Sequence, residues 1–132
     1  MKHGSRQLLR FIVVGTAAAT VHLAIVTALV RLAGWPPLIA NVAGWLLAFW
    51  VSFIGHFGWT FRGTVLTASA SARRFVVLSA AGFLVNESMY ALALGWSAHR
   101  FDLLLGLVLL VTAVLTFLAS RLWAFQGSAR GP

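Results

Sequence analysis

Four long apolar runs, residues 11–30, 38–57, 75–94 and 103–120, constrain this chain more than any other feature. The hydrocarbon core of a bilayer is about 30 Å thick and takes roughly 20 apolar residues to cross as a helix, so each run is long enough for one span. With 61% hydrophobic and 9% charged residues, and a mean hydropathy of +0.93, too little polar surface remains to cover a soluble globule. The expected fold class is therefore an all-α membrane protein with four transmembrane helices, forming a single integral domain over residues 1–132. The connections at 31–37 and 95–102 are short and the one at 58–74 is longer, so consecutive helices are expected to run antiparallel.

The first run follows Lys2, Arg6 and Arg10 in the manner of a signal peptide. It exceeds the usual apolar core of such a leader, and a second hydrophobic span follows almost at once, which favours a retained helix. Cysteine is absent, so there is neither a disulfide framework nor a thiolate metal site; no metal or other cofactor is expected.

A net charge of +8 would suggest nucleic acid in a soluble protein, but here the basic residues sit at the ends of apolar runs, and no nucleic-acid partner is expected. Lys2, Arg6, Arg10, Arg62, Arg73, Arg74, Arg121 and Arg130 fall on one side, while only Arg31 and Arg100 fall on the other. By the positive-inside rule both termini and the 58–74 loop are cytoplasmic. Trp35, Trp59, Trp96 and Trp123 lie at span ends, where an amphipathic indole prefers the headgroup level.

Sliding the chain on itself by 64 residues brings Arg10, Phe11, Val13, Ala17 and Val21 onto Arg74, Phe75, Val77, Ala81 and Val85. The same offset places Leu46, Phe53, Trp59 and Phe61 on Leu110, Phe117, Trp123 and Phe125. Aliphatic identities are common between apolar segments and weigh little. The shared Arg-Phe starts and aromatic endings weigh more, and they indicate a tandem duplication of a two-helix hairpin. Two-span units enter the membrane in the same direction, so the halves should be related by an axis along the membrane normal.

Helical spacing then picks out a polar seam. Asn41, Ala48, Ser52 and His56 recur at intervals of seven, four and four and share one face. Thr112, Thr116 and Ser120 stand 64 positions beyond the last three of these. The first span adds Gly15, Ala19 and His22, and the third adds Ser79, Gly82 and Asn86, with small residues expected to permit close helix approach. The blander reading is that the hydroxyls satisfy carbonyls one turn back and glue the helices together. Glu87 is the one carboxylate within a span and lies near mid-membrane, so it should be protonated, paired with His22, or facing water. Asp102 beside Arg100 reads as an interfacial pair. There is no GxSxG, no HExxH, no phosphate-binding glycine loop and no second carboxylate to share acid-base work with Glu87. No catalytic residue is assigned, and the chain reads as non-enzymatic.

"RFIVVG", "PPLIANVAGWLLAFWVSFIGHFGWTF", "RFVVLSAAGFLVNES" and "FLASRLWAF" resemble the GtrA-like family of small four-span membrane proteins over about residues 10–125. That resemblance implies a flippase-type role in cell-surface polysaccharide synthesis. A polyprenyl-phosphate-linked sugar would cross the cytoplasmic membrane for a membrane glycosyltransferase on the far side. The family usually carries Asn and a basic residue before Trp-Thr-Phe; this chain has His56 and Phe57 there, and in the second copy Ser120 followed by Arg121. For such a lipid, Arg10, Arg74 and Arg121 are the candidate phosphate ligands. His22, Asn41, Ser52, His56, Asn86, Glu87, Thr116 and Ser120 form the candidate seam for a hydroxyl-rich head group, which cannot meet hydrocarbon unaccompanied. Two other functions compete: a non-transporting scaffold that docks a glycosyltransferase, and a proton-coupled exporter like the four-span multidrug transporters. Against the exporter, Glu87 lies in the third span, not the first, and the charge bias dictates one orientation. Four helices enclose little volume, which leaves room for a homo-oligomer.

Overall fold

A chain this apolar must satisfy its backbone N–H and C=O groups internally, and helices do so within one segment. The computed structural model describes residues 2–60 and 68–126, with the side chains of most of them. It contains α1 (Lys2–Ala33), α2 (Pro37–Gly55), α3 (Ala68–Ser97) and α4 (Phe101–Gln126). A π turn, His56–Thr60, extends α2, and a 3₁₀ turn, Ala98–Arg100, joins α3 to α4. There is no strand among the described residues.

Three segments are long and apolar enough to cross a membrane: Leu8–Ala33, Pro37–Trp59 and the 44-residue Arg73–Thr116, which runs from α3 through the 3₁₀ turn into α4. The chain is a multi-pass membrane protein, and its outward faces suit lipid. Leu46, Leu47, Trp50, Ile54, Leu84, Leu92 and Leu110 are all exposed, as is Trp96 at the end of α3.

The helices overrun the apolar runs. The first connection shrinks to residues 34–36 and the one between α3 and α4 to the 3₁₀ turn, while 61–67, with Arg62, lie outside the described residues. The α1–α2 turn is written in its residues. Gly34 takes φ +69°, a left-handed conformation that a Cβ disfavours, and the Trp35 N–H closes the helix end on Leu29 O at 3.1 Å. Pro36 is extended and Pro37 opens α2, where its missing N–H costs nothing. At the start of α4, Asp102 pairs with Arg31 across the bundle rather than with neighbouring Arg100, and the Arg31 guanidinium lies 5.7 Å from the Phe101 ring.

Each helix packs on two neighbours in the circuit α1–α2–α3–α4–α1. The apolar core occupies the end of the bundle that holds the α1–α2 turn: Val26, Ala40, Tyr90, Phe101, Leu105 and Val108 pack there. The Tyr90 hydroxyl donates to Phe101 O at 3.1 Å, so no polar atom is stranded by that burial.

The closest helix approach is α1 on α2, and glycines permit it at positions other than those expected. A Cβ at Gly44 would stand 2.7 Å from His22 Cδ2 and from Val26 Cγ2, and one at Gly55 would stand 2.7 Å from Val14 Cγ1. At Gly15 and Gly82, expected to mediate close packing, a Cβ would meet nothing within 4 Å. Overpacking a close contact costs about 1–3 kcal/mol, so Gly44→Ala should lower the midpoint of thermal unfolding in detergent. Gly15→Ala and Gly82→Ala should hold or raise it, since alanine favours a helix over glycine by about 1 kcal/mol. Equal effects at the three sites would contradict this packing.

Candidate functional site: a cavity closed at one end by a hydrogen-bonded cluster

Below the apolar core the four helices part around a cavity of about 420 Å³. Phe11, His56, Phe75 and Thr116 border it toward the end of the bundle that carries Arg6, Arg10, Arg73 and Arg74, and His22, Trp45 and Asn86 border it at the end toward the apolar core. Phe11 and His22 are eleven positions apart on α1, or about 16 Å at 1.5 Å per residue. Gly15, Ala19, Ser79 and Gly82 line it too, so these small residues make room instead of contact. A separate hollow of about 540 Å³ lies on the outer face of α1, bordered by α1 residues alone.

Eighteen of the twenty residues lining the cavity form nine pairs 64 positions apart, among them Phe11 with Phe75, Gly15 with Ser79, His22 with Asn86, and Ser52 with Thr116. The four largest fully buried side chains obey the same spacing, Val26 with Tyr90 and Asn41 with Leu105.

At the closed end, Asn41 is the hub. Its Nδ2 donates to Asn86 Oδ1 at 3.0 Å and to Glu87 Oε2 at 2.5 Å. That commits its Oδ1 to His22 Nε2, 2.7 Å away, so Nε2 carries the proton and donates. His22, Asn41 and Asn86 are buried. The expected His22–Glu87 pair is therefore indirect: the Asn41 amide stands between them. Asn86 Nδ2 has no partner among the described residues.

The seam residues divide in three. His22, Ser52, His56, Asn86 and Thr116 line the cavity, as do Ala48 and Thr112. Asn41 and Glu87 stand behind the lining, in the cluster. The Ser120 and Arg121 side chains lie outside the described residues. Some hydroxyls do serve their own helix, since Thr112 donates to Val108 O, Thr20 to Thr16 O and Ser88 to Leu84 O, each at 2.8 Å.

The phosphate candidates sit differently from expectation. Arg10 donates to Trp59 O at 3.3 Å, with its guanidinium 5.5 Å from the Trp59 ring, beside the cavity's outer end. Arg74 is exposed. α1 begins at Lys2 and α3 at Ala68, so neither arginine stands at a helix start and neither has unpaired first-turn N–H groups beside it.

An aromatic ladder was missed, of which Trp45 and Phe49 line the cavity. Trp45, Phe49, Phe53 and Phe57 follow one another at four-residue intervals along α2, a ladder legible in the sequence beside the polar stripe. Trp45 stacks on Phe83 with ring centroids 4.5 Å apart, and Phe49 and Phe53 meet Phe75 at 5.6 and 5.7 Å. His56 stacks on Phe11 at 4.8 Å.

If Asn41 is the bridge, His22→Ala and Glu87→Gln should be coupled. Unfolding free energies in mixed micelles should depart from additivity by about 0.5–3 kcal/mol. The same cycle in an Asn41→Leu background should be additive, and additivity in the native background would remove the bridge.

No curated protein and no solved structure matches the chain. A family model described as GtrA/DPMS, transmembrane domain, matches residues 10–125, which takes in every residue of the cavity and the cluster, and the chain belongs to that family.

Proposed function

We propose that this protein moves a polyprenyl-phosphate-linked sugar across the cytoplasmic membrane for a membrane glycosyltransferase in cell-surface polysaccharide synthesis. The cavity carries this reading. A scaffold needs only an outer surface and is served best by a dry, packed interior, whereas a translocator needs a space among its helices that some polar side chains reach, as His22, Ser52, His56, Asn86 and Thr116 do in this largely apolar cavity. Toward the α1–α2 turn it is bounded by the hydrogen-bonded cluster and the apolar core, as suits a carrier whose load enters from the opposite end.

The architecture follows from length. As one straight helix the 44 residues of Arg73–Thr116 would run about 66 Å, more than twice the roughly 30 Å of hydrocarbon. Because α3 and α4 pack on each other, we read the segment as two spans and the protein as four. The recurrence of lining and core residues 64 positions apart supports a duplicated hairpin whose halves share one site. The excess of Lys and Arg puts both termini in the cytoplasm, with the cavity's outer end on that side. Arg10 then stands where a lipid phosphate would arrive, with most of its donors uncommitted among the described residues. No covalent step is required, so the protein acts without catalysis, and Glu87 and His22 serve as polar structure around the path.

Two measurements test this. Cysteines replacing Trp35 and Ala98 should react with an impermeant external thiol reagent, and labelling confined to a cysteine at Gly63 would reverse the orientation. In proteoliposomes the purified protein should accelerate transbilayer movement of a short-chain polyprenyl phosphate hexose, and Glu87→Gln, which keeps an acceptor for Asn41, should insert normally and hold most of that rate. A wild-type rate equal to that of protein-free vesicles would leave the scaffold.

A further inference from the structure

One polar atom in the cluster is left over, and it belongs to a residue of the cavity wall. Asn86 is 3% exposed, it lines the cavity, and its Nδ2 has no partner among the described residues. The amide cannot turn over to cure this, because its Oδ1 already accepts from Asn41 Nδ2 and the reverse orientation would set two NH₂ groups against each other. A buried donor left without an acceptor is destabilising, and that cost is removed when something in the cavity accepts from it.

The rest of the lining says what that acceptor belongs to. Among the described residues it contains no Asp, Glu, Lys or Arg, only hydroxyls, the two histidines and a majority of apolar and aromatic side chains. A group with full charge would lose its hydration there with no counter-ion to replace it. A hydroxylated ring without charge loses less: its oxygens can accept from Asn86 and exchange hydrogen bonds with Ser52 and Ser79, and its C–H face can lie against Trp45, the aromatic that shares the closed end.

We propose that the closed end of the cavity is a subsite for an uncharged, hydroxylated sugar ring, with Asn86 Nδ2 as its hydrogen-bond donor. The subsite rests on the reading of this protein as a carrier of lipid-linked sugar, and it adds a selectivity: neutral rings enter, and rings bearing a carboxylate do not. Arg10 at the outer end meets the lipid's phosphate first, and Asn86 meets the head group once it has moved inward.

The test uses three probes of equal chain length, citronellyl phosphate, citronellyl phosphate glucose and citronellyl phosphate glucuronate, with binding to the protein in nanodiscs followed by tryptophan fluorescence. The glucose probe should bind at least about tenfold more tightly than the sugar-free one, equivalent to about 1.4 kcal/mol, and the glucuronate probe no more tightly than the sugar-free one. Asn86→Ala should erase the advantage of glucose and leave the sugar-free affinity in place. Equal affinity of wild-type protein for the glucose and sugar-free probes, or equal affinity for glucose and glucuronate, would overturn the subsite without any variant. An advantage for glucose that survives Asn86→Ala would overturn the role of Asn86. Binding with this selectivity but no transbilayer movement would sustain the subsite and overturn translocation alone, and failure to bind any of the three would overturn both.

Discussion

In hydrocarbon a hydrogen-bonding group has no water to fall back on, and this chain answers that constraint at each scale. Its backbone is helical nearly throughout, which closes the N–H and C=O ladder inside each segment. Thr20, Ser88 and Thr112 turn their hydroxyls back on their own helices, and Tyr90 gives its proton to a carbonyl in the apolar core. Asn41 gathers two acceptors and one donor around one amide. Among the described residues, one buried side-chain NH₂, that of Asn86, is left without a partner.

The two halves of the chain differ where their chemistry differs. Position 44 is glycine and position 108, its counterpart 64 residues on, is valine. The first lets α1 and α2 meet at distances no Cβ would allow, and the second fills the core between α3 and α4. Asn41 answers to Leu105 in the same way. The first half supplies a polar hub and the second an apolar plug, so one end of the space becomes a hydrogen-bonding floor and lies against a dry core. A cavity built of similar pieces is thereby given a direction.

Much of the site was legible before folding. A four-residue polar stripe on α2, its echo on α4, and the facing pair His22 and Asn86 are all properties of helical period, and most of these residues do reach one space. The aromatic ladder from Trp45 to Phe57 was equally periodic but reads in sequence as ordinary lipid-facing apolar matter, because period alone does not say which apolar face turns inward. Small residues were ambiguous for a related reason. Gly15 and Gly44 look alike in a span, yet one borders open space and the other a histidine, and only the position of the neighbouring helix separates them.

By itself, then, the sequence determined the solvent, the helices, the turns at Gly34 and Pro36, and the side of the bundle that bears its positive charge, since each follows from local composition and reach along the chain. Tertiary structure decided who pairs with whom. It placed Arg31 against Asp102 and not Arg100 beside it, put an asparagine between His22 and Glu87, and left one end of the cavity shut. Those outcomes depend on the rotation and depth of each helix relative to the next, quantities that packing across the bundle sets and that no spacing within a single helix contains.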